Sequence, residues 1–494
     1  MEPEKRKLTD FKRNMSAYLT VYLALSMTIM LSLCMALIEG VRSNAIRLEA
    51  ECVMDIGLHS ILAEYHRELF AQYNLLAIDS SYGTLSCGRK NTEEHLREYI
   101  ERNMCTEDIF LEKFLYKDFL AMEPGDIELT QVLILTDNKG EAFRRQAAAA
   151  MKDDVGVTML QELLDWMQTV EINNLTESDI AAQKRSVDEK LQSFNGKKVQ
   201  ISEDTWETIE IVNPTGKLEE NRSKGVLSLV VEDTAKLSTR CIKEEGLAGS
   251  RMKQGKINQG NVMLPELSES EQLLERFLFQ EYLLKYMGCY GSSSEKNVLS
   301  YQTEYLIAGK ACDLDNLKDV INCLCAIREA ANAIYIFSDS EKCAEAELAA
   351  TLICSLLQVP ELTYLLKIAM LLGWAYAESL YDIEVLLQGG RVPLIKSRDT
   401  WHYGLEGALS GFQRTEGTGG TIGLSYKDYL RIMLMLTDID TVTERAMNLV
   451  EANIRLTLGN AAFRLDGCYV WTQAAMEVKS AYGYCYEITR QRGY

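Results

Sequence analysis

Ala17–Ile38 reads AYLTVYLALSMTIMLSLCMALI, 22 consecutive residues without a charge. As an α-helix this run is about 33 Å long, enough to cross a hydrocarbon core of about 30 Å. A core helix of that length in a soluble protein normally carries a polar stripe. Here the only polar groups are Thr, Ser, Tyr and Cys, which a membrane helix tolerates. A cleaved signal peptide has a shorter apolar region and a small-residue cleavage site, whereas this run ends in Leu37-Ile38-Glu39-Gly40. A lipoprotein signal needs a small residue before its cysteine, and Leu33 precedes Cys34. The reading that fits is an uncleaved single-pass anchor.

The flanks orient it. Lys5, Arg6, Lys7, Lys12 and Arg13 come before the span; Glu39, Arg42, Arg47, Glu49 and Glu51, mixed in sign, come after it. That excess of basic residues predicts a cytoplasmic N-terminus and an extracytoplasmic C-terminal domain at the cell membrane. Residues 1–16 hold five basic and three acidic side chains, a net +2, so a chain of net charge −20 leaves −22 on the remainder. An acidic surface of that kind argues against nucleic acid as a partner.

Beyond the span, Ala45, Leu48, Cys52, Ile56, His59, Ala63, His66, Phe70 and Tyr73 recur at three- and four-residue spacing. This predicts an amphipathic helix running on from the membrane as a stalk. Helical patterning returns at 91–121. Ile127–Leu135 reads as a strand, Thr136–Gly140 as a turn, and a helix follows to Met151. Helices are expected at 155–170 and 177–194, and strands at Val199–Val212 and Val226–Val231. Residues 242–265, rich in Gly and Lys, read as a linker. Further helices are expected at 267–287, 297–308, 315–337, 340–357, 361–387, 425–436 and 440–457, with Ser425 as an N-cap. Ala462–Glu487 has the alternation of a terminal hairpin.

The expected fold is therefore α+β and mainly helical. The expected parts are a cytoplasmic tail (1–16), a transmembrane helix (17–38), a helical stalk (39–122), a mixed α/β region (123–241), the linker (242–265) and a mainly helical C-terminal domain (266–494).

Motifs for chemistry are sparse. Thirteen cysteines form no CxxC pair and no Cys/His cluster with zinc spacing. Cys312, Cys343 and Cys354 lie in apolar helical contexts, which favours buried free thiols over disulfides. His59 and His66, seven apart, would share one face of a packed or partner-facing helix. Asp79–Gly83 and Asp137–Glu141 read as polar turns, not metal loops. Gly417–Gly423 lacks the Lys-Ser/Thr of a phosphate-binding loop. Glu378 and Asp382, four apart on an apolar helix with Trp374, would form ion pairs with Arg391 or Lys396; acid–base catalysis is the alternative. Together with His402, Trp374, Glu378, Asp382 and Lys396 make a candidate polar cluster. No catalytic residue, metal ligand or cofactor is assigned.

Lys12-Arg13, the apolar run Tyr18–Ile38 and Ile38-Glu39-Gly40-Val41-Arg42 resemble the anchors of pseudopilin-like proteins of tight-adherence (Tad) pili. The chain as a whole resembles an uncharacterised single-pass family found near such pilus genes in Gram-positive anaerobes. The matching stretches are Tyr18–Arg42, Ala63–Ala77, Thr136–Gln146, Glu304–Lys310, Trp374–Lys396 and Gly423–Arg431. Where pilins carry a glutamate early in the apolar segment, this chain has Thr20-Val21-Tyr22. The resemblance thus implies a membrane-retained, non-enzymatic accessory component of a Tad-type pilus or secretion apparatus. It would contact assembly proteins through its membrane helix and stalk, with Glu39 and Arg42 pairing to partner helices at the interface and Lys12 and Arg13 on the inner side. A surface adhesin or ligand-binding ectodomain is the second expectation, a tethered hydrolase the third.

Overall fold

The computed structural model describes residues 3–84, 86–104, 120–154, 156–176, 180–194, 198–202, 205–208, 215–292, 296–412 and 420–494. The chain is α+β and mainly helical, as its sequence implies. Its first element, α1 (Pro3–Leu62), carries the uncharged run unbroken into the folded body. From Tyr18 to Ile38 every large apolar side chain is exposed. The hydroxyls of Ser26, Thr28 and Ser32 are satisfied by the carbonyls of Leu23, Leu25 and Ile29, at 3.0, 2.8 and 2.9 Å. The helix therefore presents a nearly all-apolar surface with its polar groups turned back on its own backbone.

The lower half of α1 is not a free stalk. It lies on a sheet made of β1 (Ile78–Asp79), β2 (Met122–Ile134), β3 (Cys468–Ser480) and β4 (Cys485–Gly493). The central strand, β3, pairs antiparallel with β2 on one edge and with β1 and β4 on the other. From Trp471 onward its burial alternates: Thr472, Ala474, Met476 and Val478 are buried, and the residues between them are only partly covered. The apolar part of this row, with Ile127 and Leu129 of β2, packs on Ala50, Val53, Met54, Leu58 and Ile61 of α1 and on Leu96 and Ile100 of α2 (Arg89–Met104). Gly57 lets the two helices approach, since a Cβ there would meet Leu96 Cδ1 at 2.9 Å.

That packing corrects the expected stalk in two ways. The helix stops at Leu62, and a short helix Arg67–Tyr73 follows a break at residues 63–66. The expected apolar face is also the wrong one: Leu48, Cys52, Ile56 and His59 are exposed, while a second stripe through Ile46, Ala50, Val53 and Gly57 is buried. Both stripes have helical spacing, and only the sheet decides which is covered. His59 and His66 consequently share no face. His66 caps Arg67–Tyr73, its Nδ1 accepting from Leu69 N at 3.1 Å, while His59 faces solvent.

β2 turns directly into α3 (Asp137–Met151) through three consecutive left-handed residues, Asn138, Lys139 and Gly140, with φ of 51°, 57° and 83°. Asp137 secures the turn, its carboxylate accepting from Ile134 N at 2.7 Å and Gly260 N at 2.8 Å. α3 packs on α4 (Glu269–Tyr286). Around them lie α5 (Asp313–Ser338), α6 (Ser340–Leu356), α7 (Thr363–Leu387), α8 (Tyr426–Leu436) and α9 (Ile439–Arg455), sharing one large core centred on residues such as Trp374, Tyr282 and Phe279. α5 is long and apolar enough to cross a membrane by composition, but most of its apolar window is buried in this core. Ser425 caps α8 in a capping box with Asp428, as its sequence position implies.

Three further expectations change. Val226–Val230 is a short buried helix, not a strand. Residues 198–202 and 205–208 form a small hairpin at the expected Val199–Val212 strand, whose remaining residues, like the helical reading of 105–119 and residues 417–419 of the Gly417–Gly423 loop, lie outside the described residues. The expected linker 242–265 is instead a packed strap. Arg251 pairs in bidentate fashion with Glu451 (2.8 and 2.8 Å) and reaches Asp466 (2.6 Å). Asn261 then docks on β2, its N donating to Val132 O (3.1 Å), its Oδ1 accepting from Val132 N (2.9 Å) and its Nδ2 donating to Thr130 O (2.8 Å). The strap covers part of an edge that would otherwise leave β2 open to strand addition.

Cys241 at the head of the strap is disulfide-bonded to Cys312, the residue preceding α5. This overturns the free-thiol expectation for Cys312, which caps its helix from outside. The other described cysteines are free, including Cys343 and Cys354.

Candidate functional site

Two places gather the residues that the sequence singles out. The first is buried between α5 and α7. Asp382 and Glu378 sit one turn apart on the inward face of α7, and Lys396 reaches both from the loop beyond it, at 2.6 Å to Asp382 Oδ1. The fourth charge, Arg328 of α5, is one the sequence reading missed. Its Nε and Nη2 donate to Asp382 Oδ2 at 3.0 and 2.9 Å. Its Nη1 donates to the carbonyls of Pro393 and Leu394, at 2.9 and 2.8 Å, and to Tyr429 Oη, at 2.9 Å. Asn332, one turn along α5, donates to Asp382 Oδ2 at 2.9 Å and Ser379 Oγ at 3.0 Å. Arg391, the alternative partner, is not in the cluster; it is exposed and its Nη1 donates to Gly423 O at 3.3 Å.

Two cations and two anions make the cluster neutral, which is what lets it be buried. Burial acts to raise Asp382, but Arg328 and Lys396 hold it below the usual carboxylate range. Burial pushes Glu378 up against the pull of Lys396. Glu378 is also occupied by backbone donors, accepting from His402 N at 2.8 Å and Tyr403 N at 2.9 Å. The indole nitrogens of Trp374 and Trp401 both donate to Tyr403 O, at 2.8 and 2.9 Å. His402 stacks on Tyr381, ring centres 3.9 Å apart. A cavity of about 260 Å³ opens beside Lys396, His402 and Trp401. Of the two carboxylates lining it, Asp382 is bound by Arg328, Asn332 and Lys396, and Asp399 is exposed. The arrangement therefore clamps segment 391–404 to α5 and α7.

The second place is where α1 leaves its uncharged run. Glu39 and Arg42 pair with each other at 2.6 Å. They are engaged by the β3–β4 hairpin of the same chain. Tyr484 Oη donates to Glu39 Oε2 at 2.8 Å, and Arg42 lies 3.8 Å from the Tyr482 ring centre. The contact continues as a zipper: Ser43 with Tyr486 (2.6 Å), Glu51 with Arg490 (2.6 Å), Asp55 with Arg492 (3.6 Å) and Leu62 O with Tyr494 Oη. From 39 to 62 a helix rises about 35 Å, and from 484 to 494 a strand rises about 34 Å, so helix and strand run side by side in step. Lys12 and Arg13 belong to the helical backbone of α1, and their side chains lie outside the described residues.

Taken together, these features define a mainly helical α+β protein with a long, exposed apolar N-terminal helix fused to a four-stranded sheet. Residues 204–480 match the model of a family of unknown function, DUF5702, and the chain belongs to that family. The matched region holds the strap, the disulfide, the ion cluster and β3; α1 lies outside it. No curated protein and no solved structure matches the chain.

Proposed function

We propose that the protein is a non-enzymatic, membrane-anchored scaffold whose first helix docks other helices, with its folded body outside the cytoplasmic membrane. The observation that carries this reading is the two-faced character of α1. One face is spent on the sheet. On the other, Val41, Leu48, Cys52 and Ile56 remain exposed, extending the apolar surface of residues 18–38 upward in helical steps. Exposed apolar stripes of that length mark interaction surfaces. Small residues Ala24, Ser26, Ser32 and Ala36 favour close helix packing within the span. A Tad-type pilus or secretion assembly, whose components meet through N-terminal helices, is the partner class we favour. The neutral, saturated ion cluster is consistent with a structural ectodomain.

Replacing Cys52 with a photo-crosslinking residue in intact cells is the test. Adducts with pilus or secretion assembly proteins are expected. Adducts confined to unrelated proteins would sink the assembly reading, and extraction of the chain by alkaline carbonate would sink the anchor.

A further inference from the structure

We propose that the tip of the β3–β4 hairpin is a second membrane contact, seating Tyr482 and Tyr484 in the headgroup layer of the bilayer that holds α1. The proposal rests on the membrane-anchor reading above and adds a surface to it.

Ser480–Tyr486, SAYGYCY, has three tyrosines and no charge, in a chain of which 25% of residues are charged. Gly483, with φ of 85°, makes the turn that brings the rings to the tip. Tyr484 and Tyr486 stack, ring centres 6.3 Å apart, and Tyr482 is 46% exposed. Tyrosine has an apolar ring and a polar hydroxyl, and it concentrates where hydrocarbon meets headgroups.

The position of the tip is fixed by its bonds. Tyr484 is hydrogen-bonded to Glu39, the first residue after the uncharged run, and Tyr482 lies under Arg42. Both anchoring residues are therefore within about one helical turn, about 5.4 Å, of Ile38. The zipper along Ser43–Tyr486, Glu51–Arg490 and Asp55–Arg492 keeps the hairpin from swinging away from the helix. If Ile38 marks the edge of the hydrocarbon, the tyrosine rings lie at that edge. Arg42 and Glu39 neutralise each other there, and the tip brings no further charge to the interface. A bare peptide turn facing water would not need this composition; a turn resting on lipid would.

The test uses the full chain reconstituted in phosphatidylcholine–phosphatidylglycerol vesicles, with or without brominated acyl chains. Tyr482→Trp preserves an aromatic ring under Arg42, and its emission is read as the difference from the unmodified chain. Leu458→Trp, at a fully exposed loop position among residues 456–460 beyond α9, serves as the distant control. The expected result is a blue-shifted indole at 482 that brominated lipid quenches, with the indole at 458 unquenched. A chain that floats with the vesicles but shows a water-exposed, unquenched indole at 482 overturns the hairpin contact and leaves the anchor standing. A blue-shifted but unquenched indole points to a protein surface instead of lipid and also overturns it. A chain that fails to float overturns the anchor itself, and the hairpin contact with it.

Discussion

Glu304 is fully buried, and its hydrogen bonds come from Tyr290 N (2.8 Å) and Tyr426 Oη (2.9 Å), with no cation among them. Burial raises its pKa from an ordinary 4.5 to about 7. The folded state thus holds this proton more tightly than the unfolded chain does. Its stabilising contribution is complete below about pH 4.5 and is lost as pH rises to about 7, a change on the order of 3 kcal/mol. Thermal unfolding of the wild type and Glu304→Gln across that interval should show the wild type losing stability relative to the variant. Equal slopes would count against a proton on Glu304. Asp382 acts in the opposite sense: its lowered pKa gives stability at neutral pH that is lost on acidification. Arg328→Met leaves Asp382 with less compensation in a closed core and should cost about 3–5 kcal/mol, read as a fall in the unfolding midpoint. Of this cluster, Glu378, Asp382 and Lys396 were legible in the sequence because four-residue spacing puts two acids on one face of an apolar helix. Arg328 carries the same signal, with Asn332 four residues on, in the apolar helix α5; it escapes notice because its partner is 54 residues away.

At the scale of elements, helices were legible wherever caps and turns bounded an apolar period, as in α4, α7 and α8. What failed were elements defined by partners distant in sequence. Val226–Val230 has the composition of a strand but is buried as a helix against the C-terminal core, where packing overrides propensity. The strap has no apolar period: Ile242, Leu247 and Ala248 are buried without regular spacing, and the rest of its hold is polar, through Arg251 and the Asn261 bonds to β2. Arg251→Met should therefore do more harm than a linker substitution would, and limited proteolysis within 253–262 should accelerate. Unchanged cleavage would mean the strap is held by its other bonds alone. The disulfide makes a separate demand. It joins residues 71 apart, and closing a loop of that size stabilises by about 4 kcal/mol in the chain-entropy account. Cys241→Ser, or mild reduction, should lower the unfolding midpoint accordingly. No shift would indicate that the backbone bonds flanking it, Ile242 N to Ala311 O and Asp313 N to Arg240 O, suffice.

For the molecule as a whole, the charge of −20 is divided between a slightly basic tail and a strongly acidic remainder. Self-repulsion on that remainder opposes compaction and is screened by salt, whereas the buried pairs are hardly affected. Raising ionic strength from very low to physiological values should accordingly raise the unfolding midpoint; a fall would mean that exposed ion pairs outweigh the repulsion.

The order in which the chain is made gives the sheet a different significance. Thr130 of β2 bonds to Gln473 of β3 across 343 residues, and β4 follows later still. A growing chain has the apolar helix early, then β1 and β2, yet it cannot assemble a sheet until the central strand emerges. Until then the inner face of α1 has no β3 to cover it, and a chain terminated before residue 468 never acquires one. Contacts of such separation are slow to form. The β3–β4 hairpin therefore arrives late for a helix that is made early: only a chain synthesised through that hairpin can lock α1 against the sheet. Premature products would be left with uncovered apolar surface of the kind that quality-control proteases recognise.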